Sequence, residues 1–361
     1  MTNHRTIQPD ARKVIVGVDT HKHVHVAVAI DTWGTRLDDR SCAADSDGYQ
    51  QLITWAERHG RIAAFGIEGT GSYGAGLARA VRRAGHQVLE VNRGDRRTRR
   101  IAGKSDTVDA ETAARSVLAG QSTAIPKTAD GAVEMMRHLK VARRTAVKAR
   151  TSAMITLKQI VVNAPPELRE TLHPLADQAL LKRCRGWRCG TIDTPTASAK
   201  HTLRALARRW FALSVEIVDH DRHLGRLTTQ TSPTLREGFG IGADTAAELL
   251  IIFGDNPDRI HSEAAFAKLC GACPIPASSG MTTGRHRLYR GGHRQANAAL
   301  HRAVIVRMRF HTPTLNYVER RTAEGRPKRE IIRCLKRFLA REIFQRVMAD
   351  YRARQAADLA A

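Results

Sequence analysis

The stretch that decides the fold is Val14-Ile15-Val16-Gly17-Val18-Asp19, an apolar run that ends on a carboxylate. A short run of β-branched and small apolar residues predicts a buried β-strand. A second run, Ala63-Ala64-Phe65-Gly66-Ile67-Glu68, has the same form and also ends on an acid. The sequence therefore predicts two buried strands, each with a carboxylate at its tip.

Two further acids, Asp106 and Asp109, lie three apart in Ser105-Asp106-Thr107-Val108-Asp109-Ala110-Glu111. Ser105 can cap a helix, and both acids can then share one face of its first turn. Taken singly, each acid is better explained as a cap, a turn former or a complement to the helix dipole. Their order, and the elements that they end or begin, favour convergence on one cluster with Asp19 and Glu68.

Four converging carboxylates repel one another unless protons or divalent cations neutralise their charge. Oxygen ligands suit Mg²⁺ or Mn²⁺, and two such ions roughly 3.5–4 Å apart are the usual machinery for cutting phosphodiesters. Nearby, His21, His23 and His25 have strand spacing and offer further metal ligands. A polar turn that runs into an edge strand is the favoured interpretation of these histidines.

The composition indicates a polyanionic partner. The chain has 361 residues, with 59 Lys and Arg against 35 Asp and Glu and a formal net charge of +24. Nucleic acid is favoured over a membrane surface, because the sequence has no apolar stretch of transmembrane length, no signal peptide and no lipidation motif. We expect a bacterial cytoplasmic, nucleoid-associated protein whose six cysteines are reduced thiols.

The element pattern predicts an α/β domain followed by all-α parts. Residues 1–125 show three strands, a helix, a strand, a helix, a strand and a closing helix, which is typical of a ribonuclease H-like (RuvC-like) mixed sheet. The predicted elements are strands within Val14–Ile30, at Arg36–Ala43, Ile62–Glu68 and Gln87–Val91, and helices Tyr49–His59, Ala75–Ala84 and Asp106–Ala119.

Residues 126–230 predict a long helical arm, with helices Val133–Val162 and His201–Leu227 as an antiparallel hairpin or coiled coil. The arm is a spacer, a dimerisation element or a nucleic-acid surface, and the sequence does not separate these roles. Residues 231–361 form a third, helical domain that opens with Gly238-Phe239-Gly240-Ile241-Gly242. This turn resembles a helix-hairpin-helix, in which amides at Gly240 and Gly242 would grip a phosphate; an ordinary interhelical turn is the alternative.

A serine and a basic loop follow in the same domain. Ser278-Ser279-Gly280 precedes Arg285-His286-Arg287-Leu288-Tyr289-Arg290-Gly291-Gly292-His293-Arg294. A helix at Gln295–Arg309 is expected next, and the basic segment Arg326–Arg346 completes the domain. Phosphoryl transfer through a serine ester needs a hydroxyl nucleophile and arginine forks that hold the charge of the transition state. By itself a Ser-Ser-Gly tripeptide is a common loop.

Together these motifs resemble the DEDD-type insertion-sequence transposases, the bridge-RNA-guided recombinases with a RuvC-like N-terminal domain and a C-terminal serine domain. The resemblance covers nearly the whole chain. Its motifs are Gly17–Lys22, Ile67–Tyr73, Lys104–Ala110, Gly240–Gly242, Ser279-Gly280, Arg290–Asn297 and Glu324–Ile332.

The resemblance implies that Asp19, Glu68, Asp106 and Asp109 hold Mg²⁺ and that Ser279 is the covalent nucleophile. It also implies nucleic-acid contacts at Arg287, Arg290, Arg294 and Asn297, a homodimer that assembles to a tetramer on DNA, and a structured guide RNA that selects sequence by base pairing. One departure is His293, where Asn or Asp is expected.

Two other functions remain open. A metal-dependent, structure-specific nuclease similar to a Holliday-junction resolvase would need only the four acids and would use water as its nucleophile. A catalytically silent DNA- or RNA-binding regulator would need neither the acids nor the serine. The intact set of acids argues against the regulator, since four carboxylates near a phosphate weaken binding.

Overall fold

The computed structural model describes residues 13–92, 105–281 and 286–360. The chain divides into two compact units, Met1–Thr128 and Ala129–Ala361. The boundary between the two units falls close to the domain boundary predicted at residue 125. The second predicted domain boundary, near residue 230, stays a prediction.

The first unit is built on a five-stranded sheet in the order β3-β2-β1-β4-β5. Strand β1 pairs antiparallel with β2 and parallel with β4, so the sheet is mixed, and β2 pairs antiparallel with β3. The predicted meander and mixed α/β sheet are therefore confirmed. The strands are β1 Lys13–Thr20, β2 Val24–Asp31, β3 Arg36–Ala43, β4 Arg61–Glu68 and β5 Val88–Val91.

Helices cover both faces of this sheet. Helices α1 (Ser46–Arg58) and α2 (Ala75–Arg83) pack on the face that carries Val16 and Phe65. Helix α3 (Asp106–Leu118) packs on the opposite face, against Ile15 and other buried residues. Side chains two residues apart in a strand lie on the same face of the sheet. Asp19 therefore shares the α3 face with Ile15 and Gly17. Glu68 shares this face with Ala64 and Gly66.

Two glycines allow α3 to lie directly on the sheet. A Cβ atom at Gly17 would lie 2.0 Å from the Ala110 carbonyl oxygen, and one at Gly66 would lie 2.6 Å from Cγ2 of Val117. Each glycine stands two residues before an acid that ends its strand. The close approach of the helix therefore brings its first turn to the edge where Asp19 and Glu68 end.

The second unit begins with the two long helices that the sequence predicts, α4 (Ala132–Val162) and α7 (Pro195–Thr231). They pack along each other, and Arg143 Nε donates to Asp221 Oδ1 across the pair at 2.6 Å. Between them lie two short helices that the sequence analysis missed, α5 (Pro166–Leu172) and α6 (Asp177–Arg185). They close a small core around Leu157, Leu172 and Leu203. Whether α4 and α7 supercoil as a coiled coil stays a prediction.

The rest of the second unit is helical with one small hairpin. Its core includes Phe253, Phe266 and Leu300, and it extends to Val133 and Leu227 at the bases of α4 and α7. The elements are α8 Pro233–Arg236, α9 Ala243–Phe253, a 3₁₀ turn Pro257–Arg259, α10 Glu263–Leu269, β6 Pro274–Pro276, β7 His286–Leu288, α11 Arg294–Phe310, α12 Thr312–Ala323 and α13 Lys328–Ala360. The β6–β7 hairpin replaces what the sequence analysis treated as loop, and α12 was not predicted.

Within the described ranges, no helix combines the length and the apolarity that crossing a bilayer requires.

Candidate functional site

Two of the predicted acids lie at neighbouring strand ends. Asp19 stands near the end of β1 and is 8% exposed, whereas Glu68 ends β4 and is half-buried. The hydroxyl Oγ1 of Thr20 donates to the Glu68 carbonyl oxygen at 2.9 Å, which ties the two strand ends together. The sheet therefore fixes both acids on rigid backbone.

The other two acids lie on the first turn of α3, as predicted. Ser105 is the N-cap residue, and its Oγ accepts from the Val108 amide at 3.2 Å. Asp106 is exposed and Asp109 is half-buried. Carboxylates on a first turn also complement the helix dipole, so the helix end is a favourable place for both side chains.

The other three acids lie close enough to Asp19 for their charges to act on its carboxyl. Burial raises the pKa of the Asp19 carboxyl above its ordinary value, and the neighbouring charges of Glu68, Asp109 and Asp106 raise it further. His21 acts in the opposite direction and lowers the pKa of Asp19. The structure thus places the other three predicted acids close enough to the buried Asp19 carboxyl for their charges to act on it.

His21 is a member of this cluster that the sequence analysis did not favour. Its Nε2 lies 3.3 Å from Asp19 Oδ2 and 3.4 Å from Asp106 Oδ1. One potential ligand atom from each of Asp19, His21 and Asp106 falls within 4.8 Å of the others. A single histidine in a turn carries no periodic signal, so only the fold reveals this position.

The three histidines do not share one face. His25 is fully buried and stacks on Tyr49, with ring centroids 5.6 Å apart, and neither of its ring nitrogens has a hydrogen-bond partner among the described residues. His23 is exposed. Of the three, His21 alone reaches the acids.

The donor set fits a divalent cation. Carboxylate oxygens from two strand ends and a helix start, together with one imidazole nitrogen, are ligands that Mn²⁺ accepts, and the oxygens alone suit Mg²⁺. Burial is the first cause of the raised pKa of Asp19, and the charges of Glu68, Asp109 and Asp106 add to it. A bound cation would favour the ionised form of these carboxyls.

In the second unit, Ser278 and Ser279 lie on the segment that joins β6 to β7, and both are exposed. Of the arginines predicted to surround them, Arg287, Arg290 and Arg294 are also exposed. Residues 282–285, which include Arg285 of the predicted basic loop, lie outside the described residues. An exposed hydroxyl is accessible to a phosphodiester, and exposed arginines follow it in the chain.

The glycine-rich segment after β7 is anchored to the C-terminus of α10. His293 caps α11, where its Nδ1 accepts from the Ala296 amide at 3.3 Å, and its backbone amide donates to the Leu269 carbonyl at 2.7 Å. An imidazole nitrogen thus fills the capping role for which Asn or Asp is expected. Asn297 Nδ2 donates to the carbonyls of Cys270 and Gly271, each at 2.9 Å.

Both polar atoms of the Asn297 side-chain amide therefore form hydrogen bonds within the chain. Its Oδ1 accepts from Lys336 Nζ at 2.8 Å, in addition to the two bonds that its Nδ2 donates. The predicted contact of Asn297 with nucleic acid has no structural test, but these bonds give the side chain a definite role in holding the basic loop.

The Gly238–Gly242 turn joins α8 to α9. Gly240 has a φ of +74°, in the left-handed region, and Gly242 is the N-cap residue of α9. Arg236 and Arg307 donate to the carbonyls of Ile241 and Phe239 at 2.8 Å each, so the carbonyls of the turn point into the protein's own arginines. Phosphate binding by the amides of Gly240 and Gly242 stays a prediction.

Comparison with known protein families gives two matches. The family model of DEDD transposases of the IS110 type, described as "Transposase", matches residues 16–166. The model described as "Transposase IS116/IS110/IS902 family" matches residues 232–319. No curated protein matches the chain at a significant level. The two matches follow one another in chain order and together cover about two thirds of the sequence, so the chain belongs to the DEDD-type insertion-sequence transposases.

Proposed function

We propose that this transposase cuts and rejoins the DNA of its own mobile element through a phosphoserine intermediate, at a site that needs Mg²⁺ or Mn²⁺. The observation that carries the proposal is the convergence of Asp19, Glu68, Asp106 and Asp109, from three separate elements, on one buried carboxyl. A protein that only bound DNA would gain nothing from four acids held together.

In this proposal the four acids hold the cation, and His21 lies close enough to Asp19 and Asp106 to join them. A bound divalent cation neutralises phosphate oxygens and stabilises the charge that develops when a phosphodiester is attacked. The rigid strand ends and the capped α3 hold the carboxylates in place before the substrate arrives. Such preorganisation lowers the cost of reaching the transition state.

Ser279 is the proposed nucleophile. Its Oγ would bond to phosphorus while the bond from phosphorus to the departing strand's oxygen breaks, and the serine proton leaves with the departing oxygen or with solvent. A hydroxyl of a second strand then attacks the serine ester and restores the serine. The exposed arginines of the same segment, Arg287, Arg290 and Arg294, would hold the phosphate charge by charge-assisted hydrogen bonds.

The proposal also covers how the protein assembles on DNA and how it selects its target sequence. The family resemblance supports a homodimer that becomes a tetramer on two DNA duplexes, and a structured guide RNA that selects the target by pairing. The net charge of +24 supports a long polyanionic partner of this kind. Basic side chains on α4 and α7 offer surface for that partner, and the spacer or dimerisation role of the arm remains the alternative.

The test compares Ser279→Ala with Ser278→Ala, since both serines are exposed on the same hairpin and only one is the proposed nucleophile. Purified protein is incubated with labelled element-end DNA, the guide RNA and Mg²⁺, and is then denatured to reveal protein–DNA adducts. We expect the adduct with the wild type and Ser278→Ala and none with Ser279→Ala. Strand exchange that survives Ser279→Ala would support the plain nuclease instead.

A further inference from the structure

A cavity of about 620 Å³ lies in the second unit beside the serine hairpin. Its walls come from β6, β7, α13 and the residues just before β6 and α13, and they include Arg287, Arg326, Arg333, Arg337, Glu330 and Phe338. We call this cavity the arginine pocket. Its volume falls in the range of protein sites for small molecules and is large enough for one nucleotide.

The arginine pocket carries an excess of positive charge. Its four arginines face one carboxylate, Glu330, which is already paired with Arg326 at 3.3 Å. Arg337 donates through Nη2 to Glu263 at 2.9 Å, but its buried Nη1 has no acceptor among the described residues. A buried donor without a partner is costly, and an incoming phosphate oxygen is the acceptor that guanidinium groups fit best.

An aromatic ring stands in the same wall. Phe338 is 48% exposed, a large fraction for a phenylalanine, and it meets the ring of Tyr317 edge to face at 5.5 Å. In that arrangement Tyr317 supports Phe338 and leaves ring surface available. Arginines beside an exposed aromatic ring are the combination on which proteins stack unpaired bases and hold their phosphates.

We propose that the arginine pocket binds one unpaired nucleotide, with its phosphate on Arg333 and Arg337 and its base against Phe338. This proposal rests on the proposed function only in taking nucleic acid as the partner. Pro274 of β6, Cys273 just before it, and His286 and Arg287 of β7 belong to the pocket wall, so a nucleotide bound there would lie at the base of the hairpin that carries Ser279. Strand exchange requires unpaired nucleotides beside the cut, and the pocket would hold one.

The test measures binding of fluorescent duplexes to the full-length Ser279→Ala protein, in which no serine ester can form. One duplex is blunt and the other has a three-nucleotide single-stranded extension; DNA and RNA extensions form separate arms. The pocket variants are Arg333→Ala and Phe338→Ala. The matched controls are Arg352→Ala, an exposed arginine on the same helix, and Phe310→Ala, whose ring is 69% exposed and lies outside the pocket. Thermal melting of each variant confirms that it is folded.

We expect the wild-type pocket to bind the extended duplex more tightly than the blunt one in at least one arm. Phe338→Ala should weaken binding to the extended duplex about tenfold and leave the blunt duplex unchanged. Arg333→Ala should also reduce the slope of log affinity against log salt by about one for the extended duplex. The arm that shows these losses identifies the bound strand as DNA or RNA.

Equal loss on blunt and extended duplexes, or no loss in either arm, would overturn the proposal. So would equal effects of Phe338→Ala and Phe310→Ala. These outcomes do not depend on chemistry at Ser279, because the adduct assay with the intact serine is a separate measurement. If the pocket variants bind as the controls do while the wild type still forms the protein–DNA adduct, the pocket proposal alone is refuted.

Discussion

The acid cluster of the first unit and the serine hairpin of the second unit are built in contrasting ways. Asp19 and Glu68 end two strands of a five-stranded sheet, and α3 lies on backbone glycines so that Asp106 and Asp109 reach the same edge. Ser279 instead lies on an exposed segment between two strands of three residues each. The cluster is held by the core, whereas the serine is presented to whatever binds outside. We infer that the fold preorganises the proposed metal site and leaves the proposed nucleophile, Ser279, for the substrate to position.

The largest effect that this contrast predicts is the loss of strand exchange. Asp19→Asn neutralises the buried member of the acid cluster and should abolish strand exchange, because the proposed cation site loses one of its anionic ligands. The fold should survive, since the amide is nearly isosteric and removes one of four like charges. Strand exchange and DNA binding are measured on the same preparation. Normal exchange by a folded Asp19→Asn protein would separate the acids from catalysis.

The second prediction tests the packing that supports the cluster. A Cβ atom at Gly17 would lie 2.0 Å from the Ala110 carbonyl and 2.3 Å from the Ala114 amide nitrogen, and backbone atoms cannot move aside as a side chain can. Gly17→Ala should therefore lower the free energy of unfolding by about 3 kcal/mol, at the upper end for overpacking. Chemical denaturation followed by circular dichroism measures the change.

Two glycines serve as controls for Gly17→Ala. An added Cβ meets nothing within 4 Å at Gly71 of the first unit or at Gly280 beside the serine. Alanine at either position should leave the unfolding free energy within about 0.5 kcal/mol of the wild type. A destabilised Gly280→Ala protein would show that the hairpin is as tightly packed as the cluster, which would remove the contrast.

Local patterns in the sequence predict the elements that carry the acids, but not the contacts that depend on long-range packing. Val14–Asp19, Ala63–Glu68 and Ser105–Asp109 carry local signals for strand ends and a helix start, so all four acids and the mixed sheet followed from pattern alone. His21 lacked such a signal, because its contacts with Asp19 and Asp106 depend on how α3 packs. The same holds for the arginine pocket, whose walls come from β6, β7 and the distant α13.

The hairpin escaped prediction for a related reason. Strand β6 has only three residues and two of them are prolines, Pro274 and Pro276, which a strand pattern excludes. The hairpin forms because its surroundings are fixed by other contacts, among them the bonds from Asn297 to Cys270 and Gly271. Sequence periodicity does not encode long-range support of this kind.

The third prediction concerns the ion pair that joins α11 to α13 in the second unit. Arg307 is nearly buried and donates to Glu342 through both terminal nitrogens, at 2.6 and 2.9 Å. These hydrogen bonds lower the pKa of Glu342 below its ordinary value. Glu342→Gln should cost about 2 kcal/mol of unfolding free energy at pH 7, as expected for a hydrogen bond to a charged group.

The sign of the pH dependence follows from the lowered pKa of Glu342. Its stabilisation is fully present above the pKa of an unfolded glutamate, about 4.3, and is lost as pH falls through the lower folded value. The stability gap between the wild type and Glu342→Gln should therefore close as pH drops below about 4. Denaturation curves at pH 7, 5 and 3.5 measure the gap. A gap that widens in acid would contradict this assignment.

The smallest predicted effect compares two thiols at the base of the hairpin. Burial raises the pKa of the Cys270 thiol to about 12, whereas Cys273 is half-buried. At pH 8 a thiol reagent should modify Cys273 in the folded protein and leave Cys270 unmodified until the protein unfolds. Peptide mass spectrometry locates the label. Rapid labelling of Cys270 in the native protein would show that the support of the hairpin opens readily.

The central claim is that four acids from separate elements form one cation site, and Mn²⁺ binding tests it most directly. Calorimetric titration of the wild type, Asp19→Asn, Glu68→Gln, Asp106→Asn and Asp109→Asn measures affinity, with Asp47→Asn as a control on an exposed helical acid outside the cluster. We predict that each of the four cluster variants weakens Mn²⁺ binding at least tenfold, within the range of metal-ligand losses, and that Asp47→Asn does not. Wild-type affinity in any folded cluster variant would contradict the account.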